Sequence, residues 1–283
     1  MMITRRAFVR FLAGLPLLSF PFRIAAVSAQ PSQPSRRGPK GSIAESFAGE
    51  ALHYEIGFWV LKKVAAAKLT FLPADQKGRY VATLVGETQG LIGWLVRYRT
   101  DSYRAVMEEV DGGTRLRSLS FEEQVKVGKK TRKHAHTFDH QKRVWVHLTT
   151  RRNRTIERVE TEIPEGKTYD DFLTASYNFR YGVYGTVERG KTFSVPTFPR
   201  KGANTYDVKI APRDEEERKR ASDKVPDGEY LISLWLDPEI INSTEGNIEG
   251  WLSKDLYPVD GVIKDVVLFG DVHGQLVKKE RGV

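Results

Sequence analysis

From Leu52 onward the chain is governed by a two-residue hydrophobic period, and that period most constrains its fold. In Leu52-His53-Tyr54-Glu55-Ile56-Gly57-Phe58, residues Leu52, Tyr54, Ile56 and Phe58 fall on one face. Similar runs follow at residues 65–72, 80–88, 93–100, 102–110, 115–124, 129–138, 143–149 and 155–162. Turn signals punctuate them, Lys77-Gly78 and Asp111-Gly112-Gly113 among others. After Gly190 the strands resume at 191–198, 205–211, 230–237, 247–252, 261–270 and 275–278. Hairpin spacing without alternating helices predicts one mostly β domain: an antiparallel curved sheet or open β-barrel.

One segment breaks the period. Residues 169–181 (YDDFLTASYNFRY) open with acids suited to a helix N-terminus and place Phe172, Leu173, Ser176 and Phe179 at helical spacing. They predict a single amphipathic helix lying on the sheet and closed by Gly182. Residues 212–224 (PRDEEERKRASDK) carry dense charge and little apolar content, so they form an exposed loop or a short solvated helix. A domain boundary near residues 183–190 is the alternative to a single domain.

The N-terminus carries an address. Thr4-Arg5-Arg6-Ala7-Phe8-Val9-Arg10 and the apolar run from Phe11 to Phe22 fit a twin-arginine export signal. Gly14 and Pro16 interrupt the run, which is too short to span a bilayer. Val27-Ser28-Ala29 has small residues at the spacing a signal peptidase reads, so residues 1–29 form a signal peptide cleaved near Ala29. Residues 30–46, rich in Pro, Ser and Gly, read as a flexible linker, and residues 47–283 as the β-rich domain. The expected location is the periplasm, with no transmembrane segment in the mature chain.

Composition excludes several functions. There is no cysteine, hence no disulfide, thiolate metal site or lipid-acceptor thiol. The formal charge of +9 falls to about 9 − 4 = +5 once the leader's Arg5, Arg6, Arg10 and Arg23 are removed. The densest basic run, Lys129-Lys130-Thr131-Arg132-Lys133, divides its charges between two strand faces, so no nucleic acid is expected as a partner. A weak attraction to anionic lipid headgroups or acidic glycans stays open. No phosphate-binding loop, dinucleotide fingerprint or Gly-x-Ser-x-Gly elbow occurs, and no cofactor is expected.

The chain resembles the bacterial domain-of-unknown-function family 3108, a group of exported envelope proteins. The resemblance runs through Gly49-Glu50-Ala51-Leu52-His53-Tyr54-Glu55-Ile56, Thr88-Gln89-Gly90-Leu91 and Tyr169 to Arg180. It continues in Gly190-Lys191-Thr192-Phe193, Leu234-Trp235-Leu236 and Asp255-Leu256-Tyr257-Pro258-Val259. The order of these motifs is what carries it. It implies an exported, β-rich protein and lends no catalytic residue.

Three functional classes follow. The favoured one is a non-enzymatic envelope protein that binds an apolar or lipid-like ligand, or an envelope partner, through the concave sheet. The aromatic residues either fill that concavity as core or leave an apolar cavity, with Trp59, Trp94, Phe172 and Phe179 as lining and Arg180 facing an anionic head group. The second is an exported metal-binding protein or hydrolase, with His134 and His136 on one strand face and His140 at the nearby turn as ligands. His53, His147 and His273 are isolated and structural. Asp170 and Asp171, read as helical neighbours about a hundred degrees apart, cap the helix and cannot share a site. The third class is an assembly scaffold with no small ligand.

Overall fold

The computed structural model describes residues 41–282 except 59, 152–153, 201–202, 224, 226, 237, 239–242 and 267–268. The leader and most of the linker therefore lie outside the described residues.

Among the described residues, fourteen strands form one antiparallel sheet. β1 (Glu50–Phe58), β2 (Leu61–Pro73), β3 (Arg79–Thr88), β4 (Arg99–Val110), β5 (Arg115–Val127), β6 (Lys130–Asp139), β7 (Val144–Arg151) and β8 (Arg154–Glu162) meander outward to one edge. β9 (Thr192–Arg200), β10 (Ala203–Ile210), β11 (Tyr230–Trp235), β12 (Asn247–Leu252), β13 (Pro258–Val266) and β14 (Gly270–Arg281) start at the other edge and return. The order is β8-β7-β6-β5-β4-β3-β2-β1-β14-β13-β12-β11-β10-β9, so β14 closes against β1 in the middle. The sheet curls without closing: β8 and β9 keep one unpaired side each among the described residues. Phe198 of β9 nevertheless stacks on His136 of β6 and Trp145 of β7, with ring centroids 4.3 and 5.6 Å away.

Four α-helices occur among the described residues. α1 (Ile43–Phe47) opens on a capping box in which Ser42 and Glu45 bond each other's backbone, and its Ile43 and Ala44 are fully buried. The folded core therefore begins inside the stretch assigned to the linker. α2 (Gly90–Leu95) and the turn after it replace residues 93–98 of the strand expected at 93–100. Arg97 and Tyr98 both take left-handed backbone conformations there, and extended pairing resumes only at Arg99. α3 (Phe172–Tyr181) is the expected amphipathic helix, three residues shorter at its start. α4 (Arg213–Asp223) resolves the charged segment as a helix. It is anchored by buried Glu216, which accepts from Leu231 N and pairs with Arg189, and by Arg220 lying 4.6 Å over the Trp251 ring.

α3 sits inside the curl and divides the core. Leu173 and Tyr177 pack with α1 and β1–β7, including Phe71, Phe121 and Trp145. Ala175 and Phe179 pack the other way, on Phe193, Val195, Val208 and Tyr230 of β9–β11. Burying a large aromatic contributes roughly 1.5–3 kcal/mol, so these two contacts fix the helix against both arms of the sheet.

Polar side chains set its register. β5 pairs with β6 only from Ser120 onward, so residues 115–118 expose backbone groups on that side. α3 satisfies them. Asn178 Oδ1 accepts from Leu116 N (2.9 Å) and its Nδ2 donates to Leu116 O (2.8 Å). Asp171 is the N-cap, accepting from the backbone N–H groups of Leu173 and Thr174 and from both Ser118 Oγ and Thr174 Oγ. Asp170 accepts from Ser118 N and pairs with Arg115 at 2.9 Å. The two aspartates precede the first helical turn, so helical geometry does not separate them. Both converge on Ser118, which corrects the expectation that they could not share a site. Burial pushes the Asp171 carboxyl up to about 6 against the pull of its donors, and burial likewise raises that of Asp170.

Candidate functional site

The end of the curl away from α1 holds a cleft of about 1720 Å³. Its wall can be read from strand register, because residues directly opposite each other share a sheet face. One row runs Ile248–Ile263–Val272–Phe58 across β12, β13, β14 and β1, and all four line the cleft. Phe269 packs on Phe58 at 5.1 Å at its rim. One register step deeper the row reads Gly250–Gly261–Gly274–Ile56–Ala65, and the next pairs Ala67 with Gly86. Small residues thus occupy the wall where large ones would fill the space.

These glycines play different parts. A Cβ on Gly250 would stand 2.9 Å from Asp260 O, so β12 and β13 approach too closely for any side chain there. A Cβ on Gly274 would meet nothing within 4 Å, and one on Gly86 only the Ala67 Cβ at 4.0 Å. The room beside Gly86 and Gly274 is unfilled space within the concave sheet.

α3 contributes Phe172 and Ser176 to the wall, and β9 contributes Phe198. Phe172 is held edge-on between Tyr103 and Phe121, each at 5.3 Å. Apolar side chains make much of the wall, and charged ones reach it too, acids such as Glu87, Asp207 and Glu249 outnumbering the bases. Arg99 pairs with Asp101 at 2.9 Å, and Thr88 fixes the Arg99 backbone through two hydrogen bonds. Lys209, Asp207 and Glu123 lie on the same wall. The arrangement suits an elongated apolar molecule with a small polar end. It assembles no nucleophile with a base at hydrogen-bonding distance among the described residues.

Of the lining residues expected from sequence, Phe172 alone borders the cleft. Trp59 lies outside the described residues. Trp94 points to solvent from α2, because a helical turn replaces the strand that would have turned it inward. Phe179 faces the opposite side of α3, 5.5 Å from Phe193. Arg180 cannot meet a head group: it is buried, bidentate to Glu50 at 2.6 and 2.7 Å, and stacked 4.6 Å over Phe47. Its burial disfavours the charge, and Glu50 overcomes that to hold the guanidinium above its usual range.

The histidines also rearrange. His134 and His136 do share a face, but their neighbour is His147 of β7, not His140. His134 Nδ1 lies 3.3 Å from His147 Nε2, and the His136 and His147 rings stack at 4.5 Å. His140 turns away, its Nε2 bonded to Ser118 O at 2.6 Å, and burial lowers its pKa. No group of three His, Cys, Asp or Glu that could hold a metal occurs among the described residues. Strand pairing brings His147 opposite His136, a register that alternation within one strand does not reveal. The cleft itself had a sequence signal: Ala65-Ala66-Ala67 and the unturned glycines Gly86, Gly250, Gly261 and Gly274 within strands.

No helix among the described residues is long and apolar enough to cross a membrane. No curated protein matches the chain. Among solved structures it is similar to a beta-barrel-like protein of domain of unknown function DUF1849 from Brucella abortus. That match has 9% identity and a TM-score of 0.44, over 83% of this chain and 98% of the other. The family model described as a protein of unknown function, DUF3108, matches residues 53–276, and the chain belongs to that family.

Proposed function

We propose that this is an exported, non-enzymatic protein of the bacterial envelope that holds an apolar, lipid-like molecule in the cleft. One observation carries the reading: a cleft of about 1720 Å³ lined by Ala65 and Gly86, where larger side chains would take up the room. Ligand pockets run to roughly 300–1,000 Å³, so an acyl chain has ample room. With Arg180 committed to Glu50, the polar end of the ligand meets the Arg99–Asp101 pair and Lys209. The twin-arginine motif at Arg5-Arg6 supports the envelope as its place of work.

The test is mass spectrometry, under non-denaturing conditions, of protein purified from the periplasm of its native host. The expected result is a co-purifying lipid or similar apolar molecule near one per chain. Protein that is found only in the cytoplasm contradicts the location, and protein that takes up no fatty acid or phospholipid contradicts the ligand.

A further inference from the structure

Exposed apolar side chains gather at the mouth of the cleft, most of them around α2, with Trp235 exposed at the end of β11. Five of the exposed large apolar side chains belong to two neighbouring loops. Val60 (90% exposed) and Leu61 (41%) sit at the β1–β2 turn, and Leu91 (73%), Trp94 (64%) and Tyr98 (58%) on α2 and its exit. Backbone bonds hold these loops together: Gln89 N donates to Val64 O, and Gly128 N at the β5–β6 turn donates to Arg97 O. The same three loops expose Lys62, Lys63, Arg97, Lys129 and Lys130. Only Lys63 forms an ion pair with a described residue, with Glu55. Ile92 and Val96, on the other side of α2, line the cleft.

Beside these loops, the adjoining ends of β13 and β14 carry Asp265 and Asp271, the latter paired with Lys264, and Glu245 precedes β12. A soluble surface seldom gathers an aromatic and aliphatic patch with a basic border, and the pairing is the one that bilayer interfaces select. Tryptophan and tyrosine settle at headgroup depth, while each nearby lysine or arginine is drawn to anionic lipid.

We propose that the α2 side of the mouth docks on an anionic lipid bilayer, with Leu91 and Trp94 entering the headgroup region and Lys62, Arg97, Lys129 and Lys130 over the phosphates. This rests on the reading of the cleft as a lipid site and deepens it: docking sets the opening beside the source of its ligand. Lateral exchange between membrane and cleft then needs no passage of an acyl chain through water.

The experiment uses protein purified from its native host and vesicles of phosphatidylcholine, alone or equimolar with phosphatidylglycerol. Binding is expected to the anionic vesicles and to weaken as salt is raised. Replacing Lys62, Lys129 and Lys130 together with Glu lowers it by about tenfold or more. Brominated lipid quenches the tryptophan emission of the wild type, and the extra quenching disappears in Trp94→Phe. All four positions are exposed, and an unchanged circular dichroism spectrum verifies the fold of each variant. Equal binding to neutral vesicles, quenching indifferent to Trp94→Phe, or a dimer that shields Trp94 without lipid overturns the proposal. Uptake of a fluorescent fatty acid from solution is read separately: if uptake fails while docking persists, only the ligand reading falls.

Discussion

Arg180, the one buried cation among the described residues, separates two accounts of how it is used. In the structure its guanidinium and the Glu50 carboxylate are both nearly inaccessible, at 4% and 7% exposure, and joined by two hydrogen bonds of 2.6 and 2.7 Å. The pair ties the middle of the chain, α3, to the first strand. Taking one partner away leaves the other charged in a dry interior, which costs about 3–5 kcal/mol. Arg180→Met and Glu50→Leu are each expected to lose that much. At roughly 2–4 °C per kcal/mol for a domain of this size, melting falls by on the order of 10 °C. The double variant removes both charges together and recovers most of the loss, because an apolar pair of similar volume is tolerated there. Urea denaturation of the four proteins measures the coupling directly. If Arg180→Met costs under about 1 kcal/mol, or the two losses simply add, the buried pair is not what holds α3 to β1. If Arg180→Met instead spares stability and abolishes lipid uptake, the residue serves the ligand after all.

Three further outcomes follow from the anchoring of α3. Asn178→Ala strands the buried N–H and C=O of Leu116, and at about 1–3 kcal/mol for each group it should lower stability by roughly 2–5 kcal/mol in the same denaturation assay. Asp171 holds its proton more tightly folded than unfolded, so the stability it confers is complete below about pH 4 and disappears as pH rises through about 6. Relative to Asp171→Asn, the wild type should lose about 3 kcal/mol between those limits, and a pH-independent difference between the two proteins would refute the reasoning. Gly182 ends α3 at φ +96°, so Gly182→Ala should cost about 1 kcal/mol in thermal melts while leaving lipid uptake unchanged.

What could be read from sequence was what alternation encodes. In β1, Leu52, Tyr54, Ile56 and Phe58 share the inner face that two-residue periodicity marks, whereas β8 is exposed throughout and buries neither Ile156 nor Val159. Alternation misled at residues 93–100, where Trp94, Val96 and Tyr98 imitate a strand face. A six-residue helix and two left-handed residues present the same spacing to different surroundings. The capping box at Ser42 and Glu45 was present in the sequence and marks the true start of the fold. The site was less legible because it depends on pairs that lie far apart in the chain. Glu50 with Arg180, Ser118 with Asp170 and Asp171, and His136 with His147 are joined by topology and register, which no local pattern carries. The hollow wall is intermediate. Its alanines and glycines are visible in the sequence, but only register sets Ala67 against Gly86 and Gly261 against Gly274.

The central claim is that the concave wall is left open for an apolar guest, and Gly86→Leu tests it most directly. A Cβ at this position meets only Ala67 Cβ at 4.0 Å and the backbone is ordinary extended strand, so the fold should tolerate the change. The added side chain occupies the space where the guest is held. Titration with a fluorescent fatty acid is predicted to show saturable uptake near one per chain by the wild type. The variant, with unchanged melting temperature, should bind at least about tenfold more weakly, a difference of about 1.4 kcal/mol. Equal uptake by a stably folded Gly86→Leu protein would contradict the account.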